Sequence, residues 1–140
     1  MMKTYHGSCH CGAVRFECDI DLAKGTSKCN CSICAKQRFW KTLVKATSLR
    51  LLQGEDHLSD YQFGSHTIHH LFCRTCGTKP FGRAHLDVAF EGEELRGEFY
   101  AVNIACLDDL SGQELGDLPV KFEDGRQDRW DKAPDETRHL

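Results

Sequence analysis

Val14, Phe16, Cys18 and Ile20 alternate with Arg15, Glu17 and Asp19, and this two-residue period predicts a half-buried strand over residues 13–20. Apolar and β-branched runs predict further strands at 39–44, 49–52, 57–63 and 67–72, with breaks near Gly54 and Gly64. Residues 98–104 (Glu-Phe-Tyr-Ala-Val-Asn-Ile) read as the best late strand. The stretch Cys31-Ser32-Ile33-Cys34-Ala35-Lys36 reads as a metal knuckle running into a short helix. Residues 107–110 read as one helical turn, with Asp108 and Asp109 near its positive end. No long amphipathic helix interrupts the series. The pattern predicts a mainly β domain, its sheet pinned by metal, with short helical turns. Residues 123–140 mix charges of both signs and read as an exposed, partly mobile tail, with Trp130 as the residue that would otherwise anchor it.

Composition narrows the class. A length of 140 residues predicts a single domain, 1–140. A net charge of −3 lacks the basic surplus of a nucleic-acid binder, so no nucleic-acid partner is expected. No apolar run approaches the ~20 residues of a membrane span. No apolar stretch follows Lys3 at the N-terminus, so no secretory leader is read and a cytoplasmic location is expected. Nine cysteines are then the odd fact. In a reducing compartment such clusters read as metal ligands, and an odd total cannot close as disulfides within one chain.

Seven of the nine fall into three groups: Cys9 and Cys11; Cys29, Cys31 and Cys34; Cys73 and Cys76. Closely spaced cysteines can place their sulfurs on one tetrahedral zinc ion, and Gly12 and Gly77 allow the chain to turn with positive φ. Ligand arithmetic favours Cys9, Cys11, Cys73 and Cys76 as one closed site, leaving Cys29, Cys31 and Cys34 as a three-ligand site with an open position. Spacing alone also permits Cys73 and Cys76 to join Cys29 or Cys31. Ferredoxin-type spacings are absent, and no βαβ pattern surrounds Cys73 and Cys76, so iron–sulfur and thioredoxin-like readings are weaker. Cys18 and Cys106 read as small buried hydrophobes. His10 reads as turned away from the metal its neighbours bind. His66, His69, His70 and His85 read as ordinary strand and loop residues.

The three motifs in order carry a resemblance. Gly7-Ser8-Cys9-His10-Cys11-Gly12-Ala13-Val14-Arg15-Phe16, Cys29-Asn30-Cys31-Ser32-Ile33-Cys34 and Phe72-Cys73-Arg74-Thr75-Cys76-Gly77-Thr78 resemble the glutathione-dependent formaldehyde-activating enzyme family, which includes the centromere-protein-V-like domains. Val102–Asp109 and Phe122–Arg126 resemble its closing strand and C-terminal segment. The resemblance implies a mainly β fold like that of a small zinc-binding chaperone of Rab proteins. It implies a structural zinc on Cys9, Cys11, Cys73 and Cys76, and a catalytic zinc on Cys29, Cys31 and Cys34. Cysteines with a missing fourth ligand can lose metal and oxidise, so two ions are expected with the second partly occupied. It also implies a carbon–sulfur lyase-type reaction joining glutathione and formaldehyde into S-hydroxymethylglutathione. Lys79-Pro80-Phe81-Gly82-Arg83 departs from the family's more apolar continuation after the Cys-Gly-Thr turn.

The expected partners are therefore a small-molecule thiol such as glutathione and a small aldehyde. Lys36, Arg38, Lys41, Arg74 and Arg83 are the cations near the motifs that could meet glutathione's carboxylates, against a plain reading as solvated surface charge. Phe39 and Trp40 could line a pocket, or pack in the core. The rival from another class is a zinc-stabilised protein-binding module, its second site closed by a histidine or by Cys106.

Overall fold

In the computed structural model, which describes residues 1–90 and 93–140, two sheets carry nearly all the regular structure. The first orders as β1-β2-β5: β1 is Lys3–Ser8, β2 Arg15–Ile20 and β5 Leu49–Gln53. The second orders as β10-β3-β4-β9-β8-β7-β6. Its strands are β3 Thr26–Cys29, β4 Trp40–Lys45, β6 Leu58–Tyr61, β7 Ile68–Cys73, β8 Phe81–Phe90, β9 Glu93–Asn103 and β10 Val120–Glu123. β10 runs parallel to β3, and the other pairings are antiparallel. The helices are two short ones, α1 (Ser32–Gln37) and α2 (Gly112–Gly116), with single 3-10 turns between strands. The fold is mainly β and neither sheet closes on itself.

The predicted alternation at 13–20 puts Phe16, Cys18 and Ile20 inward from β2, onto Val44, Leu49, Phe81, Val102 and Ile104. The Phe16 and Phe81 rings meet edge to face at 5.4 Å, and Phe81 meets Tyr100 the same way at 5.2 Å. Gly7 of β1 lies directly under the Phe16 ring, where any side chain would collide. Cys18 and Cys106 are buried, as small apolar side chains are.

Several elements differ from the sequence expectations. β9 begins five residues before the predicted strand, and β1, β3 and β10 carry no clear signal of their own; β8 and α2 do carry one, in the alternation of Ala84, Leu86 and Val88 with Arg83, His85 and Asp87 and in the capping box of Ser111 and Glu114. The helical turn expected at 107–110 forms instead at Ile104–Cys106, where the Asn103 side chain accepts from the Ala105 amide. Asp108 and Asp109 hold β1: Ser8 Oγ donates to Asp108 at 2.7 Å, and the His6 amide donates to Asp109 at 2.6 Å. Two carboxylates used as acceptors for a strand edge cannot also serve a helix start.

The segment beyond β10 lies against the knuckle after β3. Asp124 is 2% exposed and accepts from Asn30 Nδ2 at 2.9 Å and from Arg129 Nη2 at 2.6 Å. Asn30 Oδ1 in turn accepts from the Arg126 amide, and the Asp124 amide donates to the Lys132 carbonyl. Trp130 packs on Gly125, where Cys29 Sγ also closes in on the space a side chain would take.

Candidate metal centres

The first centre is built from two tight turns. Cys9 opens the turn after β1, where the Gly12 amide donates to the Cys9 carbonyl and the Val14 amide to Cys9 Sγ at 3.3 Å. Cys73 ends β7; the Gly77 amide donates to its carbonyl at 2.7 Å, and its own amide donates to Thr78. Gly12 and Gly77 have φ of 80° and 77°, the left-handed region that each turn requires. Amides aimed at sulfur favour the thiolate. The Thr78 hydroxyl, then the Cys11 and Thr78 amides, hold the Cys76 thiol down at about 5. The four sulfurs of Cys9, Cys11, Cys73 and Cys76 lie within 4.8 Å of one another. The Cys9–Cys11 and Cys11–Cys73 pairs stand 3.7 and 3.6 Å apart. Four sulfurs ~2.3 Å from a central zinc form a tetrahedron with edges of about 3.8 Å, so the donor set fits that ion closely.

The second centre sits where β3 ends and α1 begins. Cys29 is the last residue of β3 and 1% exposed, and the Cys31 amide donates to its sulfur at 3.3 Å. Cys31 caps α1 and Cys34 lies three residues on, so both project from one side of the first turn. Arg38, with φ of 51°, closes the helix, and its amide and that of Phe39 both reach the Cys34 carbonyl. The three sulfurs lie within 4.8 Å of one another. Such crowding splits their acidities: contact with Cys29 and then Cys34 pulls the Cys31 thiol far down, while contact with Cys29 and then Cys31 pushes Cys34 far up. Three thiols this close cannot all ionise without a cation among them, which is what a metal ion provides. Both clusters could hold metal ions, and all-sulfur donor sets are consistent with zinc.

Among the described residues, no fourth His, Cys, Asp or Glu joins Cys29, Cys31 and Cys34. Cys106, named as a closing ligand in the rival reading, points its sulfur at the Lys79 carbonyl instead. The histidines are scattered: His69 Nδ1 contacts Asp60 at 2.6 Å, His85 pairs with Glu98, and His66 is exposed on a turn.

The three motifs match the glutathione-dependent formaldehyde-activating enzyme family over residues 4–118. The chain belongs to that family. A crystal structure of a Rhodobacter sphaeroides protein is similar to it, with 32% identity, a TM-score of 0.64, and coverage of 83% of this chain and 99% of that one. Family membership supports a glutathione-dependent, formaldehyde-activating role in general terms.

Beside the second centre stand residues that sequence reasoning passed over. Lys79 is 8% exposed, and its Nζ donates to His70 Nδ1 at 2.8 Å and to Gln37 Oε1 at 3.4 Å. The ammonium also lies 4.1 Å from the centroid of the Phe39 ring. Burial lowers the Lys79 pKa to about 8, opposed by the Cys34 and Cys31 thiolates; burial and then Lys79 lower His70 to about 4. The one signal in the sequence was that Lys79 stands where the family continues apolar. Arg126 is the other: its Nε donates to the Asn30 carbonyl at 3.2 Å, one residue from both Cys29 and Cys31. Of the cations named from sequence, Lys41 pairs with Glu123 at 2.6 Å and Arg83 with Glu98 at 3.0 Å, while Lys36, Arg38 and Arg74 are exposed. Phe39 is buried beneath Lys79, and Trp40 donates through Nε1 to Thr26.

Proposed function

We propose that this chain, as one domain over residues 1–140, is a zinc enzyme of the carbon–sulfur lyase type. It joins a thiol of the glutathione kind to a small aldehyde, giving S-hydroxymethylglutathione when the aldehyde is formaldehyde. Cys9, Cys11, Cys73 and Cys76 hold a structural zinc; Cys29, Cys31 and Cys34 hold a second, catalytic zinc that is more readily lost. The observation that carries this reading is the inequality of the two clusters, four sulfurs against three, with no fourth protein ligand at the second among the described residues. Structural zinc sites are closed by protein, whereas catalytic sites keep a position for substrate.

A zinc ion bound there supplies the positive charge that lowers a substrate thiol's pKa and favours its thiolate. The chain supplies the rest. Cys29 is held by burial and by the Gly125 and Trp130 packing, while Asn30 is clamped between Asp124 and Arg126. That clamp sets the angle at which α1 presents Cys31 and Cys34. Arg126, exposed at the rim, suits a glutathione carboxylate. In the reaction the sulfur lone pair forms the C–S bond, the carbonyl π pair moves to oxygen, and that oxygen takes up the proton the thiol released. Nothing is oxidised, and the reverse path regenerates thiol and aldehyde. All nine cysteines are free thiols, which suits a reducing compartment such as the cytoplasm.

The test is zinc content on protein purified under reducing conditions, with and without glutathione. About two ions per chain, one changing its coordination with glutathione, supports the enzyme. A single tightly held ion, indifferent to glutathione, supports a zinc-stabilised binding module instead.

A further inference from the structure

Lys79 is a buried cation without an anionic partner of its own. Among the described residues its two hydrogen-bond partners, the His70 ring and the Gln37 amide, are neutral, and no carboxylate reaches it. An ammonium has three donors, and burying one without a compensating anion costs several kcal/mol. Its hydrogen bond to Gln37, three residues after Cys34 on α1, places the ammonium against the helix that carries the second cluster. Lys41, by contrast, already has Glu123. Beside Lys79 opens a cavity of about 280 Å³, lined by Gln37, Phe39, Gly77, Thr78, Lys79 and Asn103, at the C-terminal end of the helix that carries Cys34. Asn103 donates to the Lys79 carbonyl at 2.8 Å and Phe39 lies under the ammonium, so the side chain is fixed from both ends.

We propose that Lys79 is the oxyanion-binding residue of the second centre, its ammonium receiving the aldehyde oxygen as the C–S bond forms and negative charge gathers there. This rests on the thiol–aldehyde reading above. The lone pair of sulfur becomes the C–S bond and the carbonyl π pair becomes an alkoxide lone pair. Lys79 stabilises that alkoxide until the oxygen takes up, through solvent, the proton the thiol released. A preorganised cation in a site shielded from water acts more strongly there than in solvent, because no dipoles must reorient as the charge appears. His70 and Gln37 act as positioning residues that aim the ammonium.

The experiment compares two thiols binding to the full chain loaded with Co(II) in place of zinc, followed by the visible spectrum of the metal. Ethanethiol offers sulfur alone; mercaptoacetate offers sulfur with a carboxylate one methylene away. The native chain should bind mercaptoacetate at least roughly ten-fold more tightly, as one charge-assisted buried hydrogen bond allows. Lys79→Met should abolish that preference while leaving ethanethiol affinity unchanged, and Lys79→Arg should restore part of it. In turnover, Lys79→Met should lower kcat roughly 100-fold with KM for thiol nearly constant. Equal affinity for the two thiols in the native chain overturns the proposal without any variant having to fold. A preference that survives Lys79→Met, or that vanishes in Arg126→Gln instead, also overturns it. If neither thiol perturbs the metal, the thiol–aldehyde reading itself fails and takes this inference with it.

Discussion

Asn30 Nδ2 donates to the buried Asp124 carboxylate at 2.9 Å, joining the residue between two cysteines of the three-sulfur cluster to one that follows the last strand, 94 positions later. The Asn30 side chain spends its other end on the Arg126 amide, so a single side-chain amide ties the knuckle to the segment after β10. Asn30→Ala removes both bonds and leaves a buried acceptor without its donor. It should cost roughly 1–3 kcal/mol in denaturant melts and weaken metal at Cys29, Cys31 and Cys34 more than at the four-cysteine site. Equal weakening at both sites in a metal-competition titration would argue against the clamp.

Gly125 is squeezed from two sides. A Cβ there would stand 2.5 Å from Cys29 Sγ and 2.6 Å from the Trp130 ring. Gly125→Ala should therefore destabilise the chain by roughly 1–3 kcal/mol, as overpacking does. Trimming Trp130 to Ala in the same background should recover part of the loss, and melts of the single and double variants read this directly.

The two clusters should respond differently to the loss of one ligand. Cys73 is buried at a four-sulfur centre that joins the turn after β1 to the end of β7, so Cys73→Ser should leave much of the domain unfolded, since a structural zinc contributes ~10 kcal/mol or more. Cys31→Ser should keep the fold, moving the melting temperature by less than about 5 °C, the equivalent of ~1–2 kcal/mol, while abolishing turnover. A mild chelator should likewise remove the second ion first, with activity lost before circular dichroism changes. Equal loss of fold in both variants would defeat the division of roles.

His70 introduces a pH dependence whose sign follows from its burial. Burial first, then the Lys79 ammonium, lowers its pKa from 6.5 to about 4, so the folded chain keeps the ring neutral where the unfolded chain would protonate it. The stability held by this neutral ring is fully present above pH 6.5 and is lost as pH falls through about 4. The variant His70→Asn lacks this titration. The stability gap between native chain and variant should shrink across that window in denaturant melts at successive pH values; a constant gap would contradict the assignment.

Gly7 and Phe16 make a second test of packing. The Phe16 ring occupies the space of a Gly7 side chain. Gly7→Ala should cost roughly 1–3 kcal/mol, and Phe16→Leu should relieve part of that cost in the double variant, as expected for residues in direct contact.

How legible this protein was depended on how local each signal is. β2 was readable because Phe16, Cys18 and Ile20 face one core while Glu17 and Asp19 face outward. β3 and β10 were not, because Thr26–Cys29 and Val120–Glu123 are short and mixed in character and become strands by pairing with each other in parallel. The helical turn misplaced at 107–110 failed for a similar reason: Asp108 and Asp109 carry a helix-start signature but serve as acceptors for β1.

By itself the sequence determined the mainly β class, the seven clustered cysteines and the glycines that let their turns form, because strand period and ligand spacing are properties of neighbouring residues. Only the tertiary structure decided which cysteines meet, bringing Cys11 within 3.6 Å of Cys73 across 62 positions. It alone put Lys79 under His70 beside the second cluster and laid Gly125 against Cys29. These contacts join segments far apart in the chain, and long-range packing leaves no periodic trace in the order of residues.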